Sequence, residues 1–500
     1  MTNVVGIIGE YNPFHNGHKY HLEASKQNAH ADYTIAVISG NFVQRGNVSL
    51  INKWDKANMA LSNGVDLVIE LPTIYSISSA ENFAYGAVKI LDSLKIVDYI
   101  SFGSESCDLE VLDKMASVLY KQPTEFTSIL KHEISKGISF PKARENALLM
   151  YLNDIRKYSN VLSSPNNILA IEYIKALKKL KSQIKPISVK RVNVGYNDLN
   201  ILNKIADILY YQPSEYVSIL NHELSKGISF PKARENAVLM YLNDIRTYAN
   251  ILSTPNNILG IEYLKSLKRI KSPIRPMNIQ REGVGYNDLG IKVTLASATA
   301  IRNMIMNNVL SKLPYVMPNS SYRVLYNSFS KGHYVKDISA FEKEILYTLR
   351  KMSLKEIANL PDVAEGLEHN IKNASNSCNT IEEFMNIIKT KRYTNTRIQR
   401  ILIYALLGIT KNDMKESFKT QPYIRVLGFN NKGKELLSVI SRANPNLNII
   451  TSVKKYIDNN PSKQLLNMLN TDINSTNIYT LGYEKDSWSN LDYTHNMIIY

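Results

Sequence analysis

Short apolar runs alternate with amphipathic segments along the first hundred residues. The runs are rich in β-branched side chains, as buried parallel strands are, and they cover residues 4–8, 33–38, 65–69 and 99–103. Helical periodicity lies between them, at 17–27, 53–62 and 80–94. Strands that alternate with helices predict a doubly wound parallel sheet, which binds ligands at the carboxyl ends of its strands.

An internal repeat follows this pattern. Residues 111–200 and 201–290 align without a gap and are identical at about 60 of 90 positions. Each copy predicts four helices and a short strand. Two copies are fewer than a solenoid needs, which indicates a tandem duplication of one segment. The predicted organisation is a core at 1–110, repeat copies at 111–200 and 201–290, a closing core segment at 291–310 and a mainly helical region at 311–500.

The composition indicates an ordinary globular protein with an uneven charge. The 500 residues are 44% apolar and carry a net charge of +16. Residues 1–110 are net acidic, at −5, so residues 111–500 carry +21. A basic surface of this kind attracts polyanions, of which nucleic acid is the commonest. Two cysteines exclude a disulfide framework and a four-thiolate zinc site. Neither a signal peptide nor a membrane-spanning run is evident, so a cytoplasmic protein is expected.

The loop between the first strand and the first helix carries the most specific chemical signal. It contains His15-Asn16-Gly17-His18. A helix N-terminus offers free amide donors to an anion. Two imidazoles that flank a glycine add donors and let the backbone approach phosphates closely. The chain lacks the glycine-rich patterns of P-loop and nicotinamide sites.

Four segments together resemble the bacterial tRNA(Met) cytidine acetate ligase family, within the nucleotidyltransferase superfamily. They are residues 9–18, 39–46 (SGNFVQRG), 296–302 (ASATAIR) and 389–394 (KTKRYT). The resemblance implies an α/β fold, with a Rossmann-like nucleotidyltransferase parallel sheet, helical insertions and a mainly helical C-terminal domain that binds tRNA.

The resemblance also implies a two-step reaction. Acetate attacks the α-phosphate of ATP, with Mg²⁺ as the accompanying ion, and forms acetyl-adenylate and pyrophosphate. The acetyl group then passes to N4 of the wobble cytidine in elongator tRNA(Met), and AMP leaves. The resemblance implies no resident metal site and no protein partner.

Specific residues inherit roles from this resemblance. His15, His18 and Arg302 would stabilise charge on the phosphates during in-line attack, with the hydroxyls of Ser297 and Thr299 as neutral donors. Gly103 would allow close approach of the adenosine. The ATP-lining loop comprises Ile7, Ile8, Gly9, Glu10, Tyr11, Asn12, Pro13, Phe14, His15, Asn16, Gly17, His18, Lys19 and Tyr20.

The duplication leaves the remaining ATP contacts open. The family uses an Asn and an Arg 25 residues apart, and Asn166 with Arg191 and Asn256 with Arg281 both fit. The second copy runs directly into residues 297–302, which favours its pair. The first copy follows directly from Gly103, which favours the other pair. On balance we expect the second pair, Asn256 with Arg281, to complete the site.

A basic cluster in the last third suits RNA phosphates. It interleaves with Tyr393, which would stack on a base, and comprises Lys389, Lys391, Arg392, Arg397 and Arg400.

Two other functions remain open at this stage. A small-molecule nucleotidyltransferase of cofactor biosynthesis would share the histidine loop, but its substrates would give no reason for the +21 of residues 111–500. A non-catalytic RNA-binding protein could keep the fold, but it would not need His15, His18 and Arg302.

The repeat predicts unequal effects of matched substitutions. If one copy completes the ATP site, only one of Arg191→Ala and Arg281→Ala will abolish acetate-dependent ATP–pyrophosphate exchange. Similar losses in both variants would contradict the hypothesis.

Overall fold

A computed structural model of the chain describes most of its residues. The described parts are 2–104, 109–137, 139–153, 158, 161–162, 165–190, 199–226, 230–242, 296–307, 309–364, 366–389, 393–486 and 488–500. The chain divides into two compact units, one of Met1–Arg191 with Leu295–Tyr500 and one of Val192–Thr294. The domain boundaries given above stay predictions.

An eight-stranded sheet forms the centre of the larger unit. Its strands follow one another in the order β10-β8-β5-β2-β1-β6-β7, and β9 also pairs with β8. The strands are β1 (Val4–Gly9), β2 (Tyr33–Ser39), β5 (Leu67–Leu71), β6 (Tyr99–Ser104), β7 (Lys185–Lys190), β8 (Tyr423–Phe429), β9 (Asn448–Ile450) and β10 (Ile498–Ile499); β3 (Phe42–Val43) and β4 (Asn47–Val48) form a small hairpin.

Helices surround the sheet and fill the C-terminal region of the larger unit. In its first part they are α1 (Asn16–Ala29), α2 (Lys53–Leu61), α3 (Thr73–Ser76), α4 (Ala80–Ser93), α5 (Leu109–Lys121), α6 (Thr124–Ser135), α7 (Phe140–Leu152) and α8 (Pro165–Leu180). The smaller unit contains α9 (Leu199–Tyr211), α10 (Ser214–Ser225) and α11 (Phe230–Leu242).

The larger unit continues with a second set of helices. They are α12 (Ala298–Met306), α13 (Leu313–Val316), α14 (Asn319–Ser330), α15 (Glu342–Lys351), α16 (Leu354–Ala358), α17 (Leu367–Ser377), α18 (Ile381–Ile388), α19 (Asn395–Leu407), α20 (Lys411–Lys419), α21 (Asn431–Ala443), α22 (Val453–Asp458), α23 (Lys463–Tyr479) and α24 (Leu491–Thr494). Short 3₁₀ turns occupy Gln44–Gly46, Leu310–Lys312, Ile338–Phe341 and Thr480–Gly482.

Both faces of the sheet are covered, as its nearly continuous apolar strands predict. In β2, Ile35 and Val37 pack into one apolar cluster, while Ala36 and Ile38 pack into a second on the opposite face. The predicted parallel sheet with helical insertions is confirmed: β1 pairs in parallel with β2 and β6, and β2 with β5.

The C-terminal region contributes strands to the same sheet. β8 pairs antiparallel with β5, and β9 and β10 pair in parallel with β8. The sequence predicts a mainly helical region at 311–500 and does not indicate that one of its strands would lie beside β5. Strand order depends on contacts between residues more than 350 positions apart, which local patterns do not encode.

The two repeat copies build equivalent helical cores. In the smaller unit, Ile205, Leu209 and Tyr216 belong to an apolar cluster of that unit. The corresponding residues of the first copy include Leu119 and Phe126, which join the main core of the larger unit. There α8 packs against α4, α5 and β6, and β7 pairs in parallel with β6. The first copy therefore supplies a strand at the edge of the sheet.

A buried ion cluster ties the N-terminal strands to the C-terminal region. Nζ of Lys53 lies 2.9 Å from Oε2 of Glu70 and 2.8 Å from Oδ1 of Asp492, and Nη2 of Arg425 lies 3.4 Å from the same Asp492 atom. All four side chains are at most 3% exposed. Burial acts to raise the pKa of Asp492, but Lys53 and Arg425 together hold it below its usual value.

A third carboxylate, Asp472, extends this cluster. The backbone N–H of Thr73 donates to Oδ1 of Asp472 at 2.7 Å, and the hydroxyl of Tyr423 donates to its other oxygen. Burial raises the pKa of Asp472.

Within the part of the chain that the structure describes, every helix is too short or too polar to span a membrane.

The ion cluster predicts a large loss of stability in Lys53→Met. The substitution removes the cation between two buried carboxylates, and breaking a buried pair from one side costs about 3–5 kcal/mol. Equilibrium unfolding in urea measures the loss. Lys95→Met is the matched control, because Lys95 pairs with Asp92 at the surface. Equal stabilities of the two variants would contradict the prediction.

Candidate active site

The N-terminus of α1 holds the two predicted histidines in a reciprocal cap. His15 is the residue before the helix, and its Nδ1 accepts the backbone N–H of Gly17 at 3.0 Å. Nδ1 of His18 accepts the backbone N–H of His15 at 3.3 Å. The two rings stack with centroids 3.8 Å apart. The pair thus does the work of a capping box, in which Ser or Thr and Glu are the usual residues.

The cap determines which nitrogen of each neutral ring carries its proton. Because Nδ1 accepts a backbone N–H in both residues, the proton of each neutral ring resides on Nε2. Both histidines are therefore Nε2–H donors at a helix end whose dipole already favours an anion. This arrangement can bind phosphate oxygens with neutral imidazoles.

Two buried aromatic rings support the histidines from below. Tyr11 packs edge-on against Phe14 at 4.8 Å and against His18 at 5.0 Å between ring centroids. Both rings are buried. Tyr11 and Phe14, which were predicted to line ATP, therefore hold the loop in shape through their side chains.

Gly17 is required by the space that His15 occupies. A Cβ built on Gly17 would lie 2.8 Å from Cε1 of His15. The imidazole can fold over the first turn only because nothing projects there. This contact gives a physical reason for the glycine between the two histidines.

Arg302 is brought to the same loop from a distant part of the chain. Its Nη1 donates to the carbonyl oxygen of Asn12 at 2.8 Å, and its Nη2 donates to Oγ1 of Thr299 at 3.2 Å. Ser297 caps α12 by accepting the N–H of Ala300. The grouping of Arg302 with the histidine loop, predicted from the sequence, is seen in the structure.

Asn12 in turn fastens the loop to the hairpin segment that follows β2. Its Oδ1 accepts the N–H of Leu50 at 2.8 Å, and its Nδ2 donates to the carbonyl of Val48 at 3.3 Å. Asn16 donates to the carbonyl of Tyr315 at 3.2 Å. Lys19 and Tyr20, one turn along α1, are exposed.

The first residue of the loop, Glu10, is surrounded by cations. Burial raises the pKa of its carboxyl, against the lowering effect of Lys56, Arg302 and Arg45. Burial also lowers the pKa of Arg302, which Glu10 opposes. Sequence reasoning missed Lys56 altogether, because a lysine in an amphipathic helix is ordinarily exposed.

These groups lie at the point where the strand order reverses. β1 has β2 on one side and β6 on the other. The chain therefore adds β2 and β5 on one side of β1 and then crosses over to add β6 and β7 on the other side. Ile7 and Ser101 are partners in the β1–β6 register, which places Gly9 and Gly103 level with each other at the strand ends. Ligands of such sheets bind in this crevice.

The chain is similar to known proteins over most of its length. The profile of the family described as HIGH Nucleotidyl Transferase matches residues 2–204 and 197–492. The tRNA(Met) cytidine acetate ligase of Thermoanaerobacter sp. (strain X514) is 40% identical over 495 residues, which cover 99% of each chain. The chain belongs to the tRNA(Met) cytidine acetate ligase family. A relative of the same name from Acetivibrio thermocellus is 36% identical over 500 residues, again 99% of each chain.

Solved structures of this family share the fold. Thermotoga maritima TmcAL bound with alpha-thio ATP has a TM-score of 0.75, and its apo form I has 0.76. Each is 27% identical, and each comparison covers 100% of this chain and 99% of the other.

Of the two candidate Asn–Arg pairs, the structure describes one member. Asn166 lies in the first turn of α8, which packs against β6, the strand of Gly103. Arg191, Asn256 and Arg281 lie outside the described residues. The strand beside β6 belongs to the first copy, which supports the pair opposite to the one that the sequence favoured. The assignment itself stays a prediction.

The predicted RNA cluster is only partly exposed. Lys389 is exposed, whereas Tyr393 is only 7% exposed. The centroid of the Tyr393 ring lies 5.0 Å from Cζ of Arg397. The expectation that Tyr393 stacks on an RNA base is therefore wrong, because its ring packs inside the helical core. Lys391 and Arg392 lie outside the described residues.

Arg397 and Arg400 already bind the protein itself. Arg397 donates twice to the carbonyl of Asp362, at 2.9 and 2.6 Å, and Nε of Arg400 lies 2.6 Å from Oδ2 of the same residue. Their role in RNA binding stays a prediction. Arg400 also packs against the 39–46 segment: Gly46 has φ +72°, and a Cβ there would lie 2.4 Å from the Arg400 backbone N.

The crowding at Gly17 predicts a specific loss of function. Gly17→Ala will push the His15 ring out of its cap and weaken ATP binding about tenfold, or about 1.4 kcal/mol. Calorimetric titration with a non-hydrolysable ATP analogue measures the change. Gln27→Ala, at an exposed position on the same helix, is the control. Equal affinity in the two variants would contradict the prediction.

Proposed function

We propose that this chain is an ATP-dependent ligase that acetylates a cytidine of tRNA(Met). The observation that carries the proposal is the meeting of two Nε2–H imidazole donors, a helix N-terminus and Arg302 at the switch point between β1 and β6. Relatives that align over nearly the whole chain bear the name of this activity. The proposed setting is the cytoplasm, where ATP and tRNA occur together.

The first step is an in-line displacement at phosphorus. An acetate oxygen forms a bond to the α-phosphorus of ATP as the bond to the β-phosphate oxygen breaks, which yields acetyl-adenylate and pyrophosphate. Such a step needs positioning and neutralisation of charge more than covalent help from the protein. His15 and His18 donate to the departing phosphates, and Arg302 stabilises the growing negative charge.

The second step transfers the acetyl group. N4 of the wobble cytidine in elongator tRNA(Met) attacks the acetyl carbonyl carbon, AMP departs with the bridging oxygen, and N4 loses one proton. The base must reach the crevice unpaired, which single-stranded anticodon nucleotides permit. The charge of +21 on residues 111–500 suits the tRNA backbone.

Mg²⁺ is proposed to accompany the nucleotide. Within the described ranges, no three His, Cys, Asp or Glu side chains converge in a way that could hold a metal. Mg²⁺ commonly keeps several waters and binds substrate phosphates. We therefore propose an ion carried on the triphosphate, near the donors at the N-terminus of α1 and the guanidinium of Arg302.

Isotope exchange tests the proposal and its rivals together. The wild-type chain is expected to exchange labelled pyrophosphate into ATP only when acetate is present, and to incorporate labelled acetate into elongator tRNA(Met). Exchange that depends on a different small molecule would indicate cofactor biosynthesis. A chain that binds tRNA without any exchange would be a non-catalytic RNA-binding protein.

Arg302 predicts the magnitude of a charge-stabilising contact. Arg302→Ala is expected to slow acetate-dependent exchange roughly 100-fold, about 2.7 kcal/mol, as removal of one such donor does. Asn303→Ala, on the exposed neighbour in α12, is the control and should retain the wild-type rate. An exchange rate in Arg302→Ala within twofold of the control would remove Arg302 from the mechanism.

A further inference from the structure

Helix α2 carries a second buried lysine one turn after Lys53. Nζ of Lys56 donates to three backbone carbonyl oxygens, those of Glu10 at 3.2 Å, Ser39 at 2.7 Å and Gly40 at 2.6 Å. The side chain is fully buried. An ammonium group has three N–H donors, and each has one acceptor here.

The three carbonyls belong to two segments that enter the crevice. Glu10 is the first residue after β1, and it begins the loop that carries the histidines. Ser39 ends β2 and Gly40 follows it, and both belong to the 39–46 segment, which contacts α19. A carbonyl at or just beyond the end of a strand lacks a neighbouring strand N–H to bind. The ammonium group of Lys56 supplies the hydrogen-bond donors at this edge of the sheet instead.

We propose that Lys56 is a positioning residue for the ligase reaction, which sets the loop of His15, His18 and Asn12 by holding the ends of β1 and β2 together. This role rests on the function proposed above. Lys56 acts through the backbone carbonyl of Glu10. Glu10 lies two residues before Asn12, whose carbonyl accepts a hydrogen bond from Arg302. A shift of about 1 Å at reacting groups can cost a hundredfold in rate.

The contact is sensitive to pH in the neutral range. Burial lowers the pKa of Lys56 to about 7, while Glu10 from the loop after β1 and Glu70 from β5 oppose the decrease and Lys53 from the same helix adds to it. Loss of the proton leaves two N–H donors for three carbonyls and turns a lone pair toward an oxygen. The site is therefore held most firmly below about pH 7, and its hold weakens as the pH rises.

Three lysine substitutions test the role. Lys56→Met removes the charge and the donors, and Lys56→Arg keeps donors at a fixed positive charge. The matched control is Lys372→Met, because Nζ of Lys372 also donates to three carbonyls, those of Leu349 at 3.3 Å, Arg350 at 2.5 Å and Met352 at 2.7 Å, in the C-terminal helices.

Acetate-dependent ATP–pyrophosphate exchange is measured between about pH 6 and pH 9 at equal fraction folded. The wild type is expected to lose activity above about pH 7. Lys56→Met should be at least tenfold slower in kcat and should lack this alkaline decrease. Lys56→Arg should recover activity and remain active at high pH, while Lys372→Met should keep the wild-type rate and pH profile.

Two outcomes would overturn the proposal. One is a wild-type rate in Lys56→Met, and the other is an unchanged alkaline decrease in that variant, which would assign the titration to Glu70, whose pKa burial raises to about 7. Should Lys56→Arg fail to fold, the comparison of Lys56→Met with Lys372→Met decides alone.

Failure of the proposed function would look different. If the wild type shows no acetate-dependent exchange, the ligase assignment fails. The affinity of the same three variants for an ATP analogue then tests whether Lys56 positions the loop of His15 and His18. A normal affinity in Lys56→Met would then overturn the positioning role as well.

Discussion

The structure depends on one ammonium group that has no access to water. Lys53 lies between Glu70 of β5 and Asp492 of α24, and Arg425 of β8 reaches the same aspartate. Removing charges from water costs several kcal/mol per ion, which only closely placed opposite charges recover. The cluster therefore demands that β5, β8 and α24 adopt their observed places together. The cluster thus links β8, an antiparallel strand of the C-terminal region, to the N-terminal part of the sheet.

The active site uses the same principle on the main chain. Lys56 and Arg302 are distant in sequence, and each donates to backbone carbonyls at the start of the histidine loop. The Nδ1 atoms of the histidines accept backbone N–H groups, which orients both rings and places the proton of each neutral ring on Nε2. Groups held in this way need little reorganisation when charge develops in a transition state, which is how preorganised sites lower a barrier. Rigidity of the loop is thus produced outside the loop.

Local sequence was sufficient for the parallel half of the fold and for the location of the site. The four strands and three helices predicted before residue 104 lie within a few residues of their predicted bounds, because continuous apolar runs and helical periodicity are strong signals. The motif around His15 identified the crevice for the same reason: its chemistry is contained in four residues. The short elements β3, β4 and α3 were not predicted. The place of β8, the burial of Lys53 and Lys56, and the burial of Tyr393 were not predictable. The place of β8 and the pairing of Lys53 with Asp492 depend on partners more than 350 positions away. Lysine and tyrosine also carry no sequence mark that distinguishes a buried copy from an exposed one.

The wide separation of the charges in the Lys53 cluster has a consequence for synthesis on the ribosome. Asp492 follows Lys53 by 439 residues, which at about 5–20 residues per second is about 20 to 90 s of elongation. For most of that time β5 lacks β8, its neighbour in the finished sheet. Lys53 already has Glu70 beside it, and Arg425 emerges before Asp492, so the cluster assembles from pairs of opposite sign. The order of synthesis therefore allows the Lys53–Glu70 pair to form long before Arg425 and Asp492, which are 67 residues apart, complete the cluster.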